Sequence, residues 1–226
     1  MATSVEARRA AVAAEEHFLE RVAAKIREHR QVATYVGGAL AIGLLLLVWS
    51  MWSGRQAAGR AGEQLQQARG AFESGNLTLA ASELNRVVEN YAGTRAAEEA
   101  TLLLAQVRMQ QGQTPQAVDM LRGFAPDASS AYQAQAYGLL GAAYENAGRL
   151  REAAEAYERA AQAARLPVFE AQYLSEAARV WVAVPDTGRA VGHYERIVRD
   201  FKKAGPSVEA QVRIGELTRG APTGAR

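Results

Sequence analysis

Residues 137–160 read YGLLGAAYENAGRLREAAEAYERA, and their pattern is the strongest indication of the fold. Its small and apolar residues recur every three or four positions on both sides of Gly148, which is the spacing of one face of a helix. A glycine between two such patterns ends the first helix with a positive φ that a side chain would resist. The stretch therefore predicts two helices joined by a tight turn. Its key positions are Tyr137, Leu140, Gly141, Tyr144, Gly148, Ala153, Tyr157 and Ala160.

The same pattern recurs in the sequence before and after this stretch. The alanine that opens each second helix returns after 37, 36 and 37 residues, at Ala80, Ala117, Ala153 and Ala190. A large apolar residue follows four positions later each time, at Leu84, Leu121, Tyr157 and Tyr194. A glycine precedes the first three alanines by five positions, at Gly75, Gly112 and Gly148, and residues 185–188 supply the fourth turn. Each first helix keeps a small residue at one register position, at Ala68, Ala105, Gly141 and Ala178.

Each register position has a physical role. A small residue on the first helix lets the second helix approach its backbone, and the large residue lies on the helix face that meets its neighbours. One pair of helices cannot bury both of its faces, so successive pairs must stack. The sequence therefore predicts an all-α solenoid.

The pattern Tyr137-x-x-Leu140-Gly141-x-x-Tyr144, followed by Ala153-x-x-x-Tyr157, resembles the tetratricopeptide repeat. The resemblance implies about four helix pairs and a C-terminal capping helix. The predicted units are 61–97, 98–133, 134–170 and 171–207, with the cap at 208–219, a repeat domain over 55–219 and a flexible tail at 220–226.

A run of 24 residues without a formal charge lies between Arg30 and Arg55. A helix of this length measures about 36 Å, enough for a hydrocarbon core of about 30 Å. Tyr35 lies near one end, and Trp49 and Trp52 lie near the other. The run predicts a single transmembrane helix over residues 31–54. A buried helix or a cleaved signal peptide remains an alternative.

Residues 1–30 carry six basic residues, whereas the 20 residues after Gly54 carry three. The positive-inside rule then predicts a cytoplasmic N-terminus and a repeat domain outside the cytoplasm. Within this charged segment, Phe18, Leu19, Val22 and Ile26 recur at helical spacing, so an amphipathic helix is expected.

The order of a short charged N-terminus, one span and divergent repeats resembles the ancillary subunit of the bacterial SecYEG translocon. This resemblance implies a single-pass protein of the bacterial plasma membrane, with repeats facing the periplasm. The implied partners are the Sec translocon and envelope chaperones, and the implied role is assistance in protein export or envelope protein folding. The alternative function is a scaffold for an envelope membrane or secretion complex.

Composition excludes several kinds of chemistry. The chain has no cysteine, only three histidines and a net charge of +2, which argues against thiolate metal sites and nucleic-acid binding. It contains no G-K-[ST] triplet and no H-E-x-x-H motif. We therefore expect no enzyme, cofactor or metal, and we interpret His193 as a satisfied or surface histidine rather than a general base.

The repeat resemblance also implies a groove for proteins or peptides, lined by fixed positions of the first helices. Carried over by register, the groove residues are Arg69, Phe72, Gln106, Met109, Glu145 and Arg179, with Glu99, Gln135 and Gln172 at a further position. Phe72 and Met109 are expected to make apolar contacts, and Arg69 and Arg179 to pair with charges of the partner. The Lys and Asn that clamp a carboxylate in other members are absent.

Overall fold

The structure is a computed structural model that describes residues 30–184, 186–202 and 205–218. These residues form helices joined by short turns: α1 Arg30–Glu73, α2 Leu77–Asn90, α3 Arg95–Gln110, α4 Thr114–Phe124, α5 Gln133–Asn146, α6 Leu150–Ala163, α7 Pro167–Ala183, α8 Thr187–Asp200 and α9 Pro206–Thr218. The chain divides into two compact units, residues 1–56 and 57–226.

In the first unit, the uncharged run is helical and forms part of α1. Its exposed large side chains include Tyr35, Leu45 and Trp49. Among the helices described, none combines the length and the apolar character that crossing a membrane requires. The transmembrane helix predicted over residues 31–54 is therefore not confirmed. The amphipathic helix predicted within residues 1–30 and the tail at 220–226 lie outside the described residues, apart from Arg30.

The second unit is a stack of helix pairs. From α2 to α9 each helix packs on the next one along the chain, and α3 also contacts α5 as α7 contacts α9. Contacts thus run between sequence neighbours and between first helices of adjacent pairs, which is how an α-solenoid buries its core. Met120, Tyr173 and Leu217 each pack against two core clusters and so link the clusters along the stack. The predicted solenoid is confirmed.

The register positions have the packing roles that the sequence predicts. The four alanines that open the second helices, Ala80, Ala117, Ala153 and Ala190, are all inaccessible to solvent. A Cβ atom on Gly141 would lie 2.8 Å from the Tyr157 ring, so only glycine lets α6 approach α5 this closely. Leu140, Tyr144 and Ala160 are also buried, and Tyr137 is half-buried.

The predicted glycine turns are confirmed at three junctions. Gly75, Gly112 and Gly148 have φ angles of 78°, 76° and 72°, in the left-handed region that favours glycine. Before α8, where no such glycine stands, the Asp186 carboxylate instead accepts a hydrogen bond of 3.2 Å from the backbone N–H of Arg189 and caps the helix.

The last described helix, α9, closes the stack on α7 and α8. Ser207 and Ala210 are buried on its inner side. Gly215 has the register position of the small residues but is exposed, because no described helix packs over it.

Candidate functional site

The first helices of the repeats, namely α3, α5, α7 and α1 from residue 57 onward, form the surface on which the sequence places a groove; we call it the first-helix face. On this face Phe72 and Met109 are half-buried and pack against the cores of their own repeats. Gln106 is half-buried, whereas Val182 is 43% exposed. The apolar residues predicted for the groove therefore offer only part of their surface to a partner.

The two arginines predicted to meet a partner are already paired within the chain. Arg69 forms an ion pair with Glu99 of the next first helix. In the same way, Arg179 Nη2 of α7 lies 2.8 Å from Glu145 Oε1 of α5, and it also contacts Glu176. These pairs join first helices of successive repeats, so both charges are partly neutralised before any partner arrives.

Glu145 is the centre of a small polar network. Its Oε1 accepts hydrogen bonds of 2.8 Å from Arg179 and from the Tyr157 hydroxyl of α6. Partial burial by itself would raise the pKa of the Glu145 carboxyl, but the hydrogen bonds and the charge of Arg179 outweigh it and lower the pKa. Burial and the bond to Glu145 raise the pKa of Tyr157, which keeps its hydroxyl a donor.

On each first helix, the residue three positions before the small residue of the register mostly packs in the core. Leu65 and Leu102 are 3% and 2% exposed. Gly138 has this position in the third repeat, and a Cβ there would lie 2.4 Å from Cε1 of Tyr173. The missing side chain therefore lets an aromatic ring of α7 rest directly on the backbone of α5.

A cavity of about 780 Å³ opens beside this contact, between the start of α5 and the loop that leads from α6 into α7. Leu166, Phe169 and Tyr173 form its apolar wall, together with four alanines, Ala131, Ala134, Ala163 and Ala164. Leu166 and Phe169 are 54% and 48% exposed and lie side by side, so together they present an apolar surface to solvent. We call this space the α5–α7 cavity.

Four polar residues line the α5–α7 cavity, namely Ser130, Gln135, Arg165 and Gln172. Their side chains make no hydrogen bond or ion pair with any other residue that the structure describes. Gln135 and Gln172 occupy the same position on successive first helices, a position that the repeat resemblance assigned to the groove. Apolar walls with a few converging polar groups are typical of a binding site.

The side chain of His193, the only histidine of the repeat domain, is bonded within the chain. His193 Nε2 lies 2.8 Å from Glu158 Oε1, which also accepts a 2.7 Å hydrogen bond from the Trp181 indole. His193 is therefore half-buried and has a partner within the chain at one of its two ring nitrogens. Within residues 30–184, 186–202 and 205–218, no three acidic, histidine or cysteine side chains cluster as metal ligands would.

The repeat register predicts Gln135 and Gln172 as groove residues, but it does not predict Arg165, Leu166, Phe169 or Tyr173. The signal was present as Arg-Leu-Pro-Val-Phe over residues 165–169, three large apolar residues at a helix start where Pro167 marks the first turn. Such a run normally predicts burial, so only the structure shows that its side chains face solvent.

Comparison with known proteins gives one matching family, the tetratricopeptide repeat-like domain, over residues 50–171. Comparison with curated proteins gives no match.

Several solved structures have a similar fold. A protein of Podosopora anserina described as a kinesin light chain with nearly identical repeats is 22% identical, covers 72% of this chain and 87% of its own, and has a TM-score of 0.56. The MamA protein is 19% identical over 71% of this chain and 81% of its own, with a TM-score of 0.55. A tetratricopeptide repeat protein of Parabacteroides merdae is 12% identical over 70% and 60%, also at 0.55. Identities this low show a shared fold alone.

Proposed function

Because the chain belongs to the tetratricopeptide repeat-like domain family, we propose that its repeat domain is a protein-binding module without catalytic activity, and that partners dock at the α5–α7 cavity and the adjoining first-helix face. The observation that carries the proposal is the cavity itself, where exposed Leu166 and Phe169 lie beside polar side chains that have no partner among the described residues.

The groups that line the cavity suit binding better than catalysis. They offer one guanidinium, two amides and the hydroxyls of Ser130 and Tyr173, and they include no histidine or carboxylate that would act as a general base. Amides and a guanidinium are donors for backbone carbonyls and carboxylates, and the apolar wall accepts a side chain. Those are the contacts that an extended or helical peptide requires.

Site-specific photocrosslinking in living cells tests this proposal. A photoreactive phenylalanine analogue replaces Gln135 or Phe169, and a control replaces Asp119, whose side chain is 70% exposed on α4. We expect discrete protein adducts from the two cavity positions that are absent from the control. Identical adducts from all three positions, or none from the cavity, would refute docking there.

The finer part of the proposal concerns location and partners, and it rests on the sequence. We propose that the uncharged residues 31–54 attach the chain to the plasma membrane, with the repeat domain outside the cytoplasm, near the Sec translocon and its exported clients. A reporter enzyme fused after Arg226 that is active only outside the cytoplasm tests the orientation. Extraction of the chain by alkaline carbonate, or a cytoplasmic reporter signal, would contradict this part and leave the binding module intact.

A scaffold for an envelope complex is the second candidate function. The ion pairs Arg69–Glu99 and Arg179–Glu145 favour it, since they leave a preformed surface with few free charges rather than an adaptable groove. Adducts from Gln135 would then contain one stoichiometric partner, whereas an export factor would give many clients.

A further inference from the structure

We infer that the α5–α7 cavity selects peptide segments in which an aromatic or large aliphatic side chain stands next to a carboxylate, with Arg165 as the group that recognises the acid. This inference deepens the proposed function and rests on it. It names the chemistry of the partner at one cavity of the first-helix face.

The α5–α7 cavity carries a positive charge and no negative charge. Arg165 is exposed, and none of the side chains that line the cavity is acidic. Elsewhere on the first-helix face Arg69 and Arg179 are each matched by a glutamate of the chain. Arg165 has no such match within the described residues, so a carboxylate supplied by a partner would complete its ion pair.

The apolar wall lies next to this charge. Leu166 follows Arg165 in sequence, and Phe169 lies in the first turn of α7, four residues before Tyr173. Tyr173 is held in place because its ring rests on the backbone of Gly138. A peptide side chain placed against this wall would remove apolar surface of Leu166 and Phe169 from water, which is the main driving force for such contacts.

The two glutamines complete the site. Gln135 and Gln172 line the same cavity from α5 and α7, and an amide can donate to a peptide carbonyl and accept from a peptide N–H. Hydrogen bonds of this kind bind the peptide backbone and do not depend on the peptide's side chains. Selection then depends on the apolar wall and on Arg165.

Other anions fit the cavity less well. A nucleic-acid backbone is bound by several cations along its length, whereas this cavity offers one arginine. One planar guanidinium beside an apolar wall matches a single carboxylate with an adjoining apolar group.

The test measures binding of two fluorescein-labelled peptides to the full-length chain by anisotropy. The probes are acetyl-Ala-Phe-Asp-Ala-Gly-Gly-Lys(fluorescein)-amide and its Asn counterpart, which differ only in the charge at one side chain. We expect the Asp peptide to bind about fivefold more tightly, the effect of one partly exposed ion pair.

Variants assign that difference to its source. Arg165→Gln should remove the preference for Asp and leave the affinity of the Asn peptide unchanged. Phe169→Ala should weaken both peptides alike, and Arg122→Gln, on the exposed side of α4, should change neither. Raised salt should reduce the preference for Asp but not the apolar contribution.

The outcomes separate this inference from the proposed function. Equal affinities for the two peptides, or a preference that survives Arg165→Gln, would overturn the inference even where photocrosslinking from Gln135 still captures partners. Loss of both peptide binding and cavity adducts would overturn the inference and the proposed function together.

Discussion

The first and third repeats have different residues at one register position, and the α5–α7 cavity lies beside only one of them. In the first repeat Leu65 fills this position, is 3% exposed, and packs in a core with Ala100 and Leu104 of α3. In the third repeat Gly138 has no side chain, and the Tyr173 ring of α7 rests on its backbone instead. The aliphatic side chain fills its junction from within. At Gly138 the Tyr173 ring of the next repeat occupies this space, and the α5–α7 cavity opens beside that ring.

The largest loss of stability should come from truncating Leu65, the side chain that fills its junction. Leu65→Ala removes a buried side chain that its neighbours cannot replace, so we expect the free energy of unfolding to fall by about 2–5 kcal/mol. Urea denaturation followed by circular dichroism measures the change. Leu79→Ala is the control, because Leu79 is 45% exposed and its truncation should cost much less. Equal losses in the two variants would show that Leu65 does not close the junction.

Filling the glycine position should have the next largest effect. In Gly138→Ala the new Cβ would lie 2.4 Å from Tyr173 Cε1, so the ring must move, and overpacking of this kind costs about 1–3 kcal/mol. Because Tyr173 lines the cavity, the same change should also weaken binding of the Phe-Asp peptide.

Gly70→Ala is the matched control for that substitution. Gly70 is also helical, but an added Cβ would meet nothing within 4 Å. Alanine there should stabilise the chain by about 0.5–1 kcal/mol, since it restricts the unfolded backbone and favours helix. Stabilisation by both substitutions would contradict the close contact between Gly138 and Tyr173.

The third effect concerns the hydrogen bond that ties α6 to the first-helix face. Tyr157→Phe keeps the ring that packs on Gly141 and removes only the hydroxyl that donates to Glu145. Loss of such a bond should lower the free energy of unfolding by about 1 kcal/mol. The same change at Tyr137, whose hydroxyl makes no hydrogen bond with the other described residues, should have almost no effect.

The repeats could be predicted from the sequence because their signal lies in period and residue size. Ala153, Gly148 and Tyr157 each have a role fixed by local geometry, and the same glycine turn recurs in three of the helix pairs. The position of Arg179 could not be predicted in this way. The Arg179 side chain is long enough to reach several neighbours, and its ion pair with Glu145 depends on how α5 and α7 are arranged in space.

The candidate site was predicted in part for a similar reason. Register placed Gln135 and Gln172 on the groove surface, but the cavity also depends on the loop between α6 and α7, which follows no repeat pattern. Residues 165–169 have no counterpart of similar composition at the other junctions between repeats, so no comparison within the sequence revealed their exposure. The transmembrane prediction rested on the length of the uncharged run and on the aromatic residues near its ends, and no helix in the described parts of the chain confirms it.

The smallest effect should appear in the pH dependence of stability. The pKa of Glu145 lies below its ordinary value of 4.5 in the folded chain, so the unfolded state binds this proton more readily. Its contribution to stability is therefore complete above pH 4.5 and is lost as the pH falls through the lower folded pKa.

Arg179→Gln removes the charge and hydrogen bond that hold this pKa down, so it should bring the folded pKa of Glu145 closer to its unfolded value. The stability difference between wild type and variant should then shrink as the pH falls below 4.5, because a protonated Glu145 gains little from Arg179 in either chain. Because Arg179 is about half exposed, the difference at neutral pH should stay below about 1 kcal/mol. Urea denaturation of both chains at a series of pH values measures it. A difference that stays constant down to acidic pH would mean that Arg179 stabilises the junction by packing, and that the charge pair contributes nothing there.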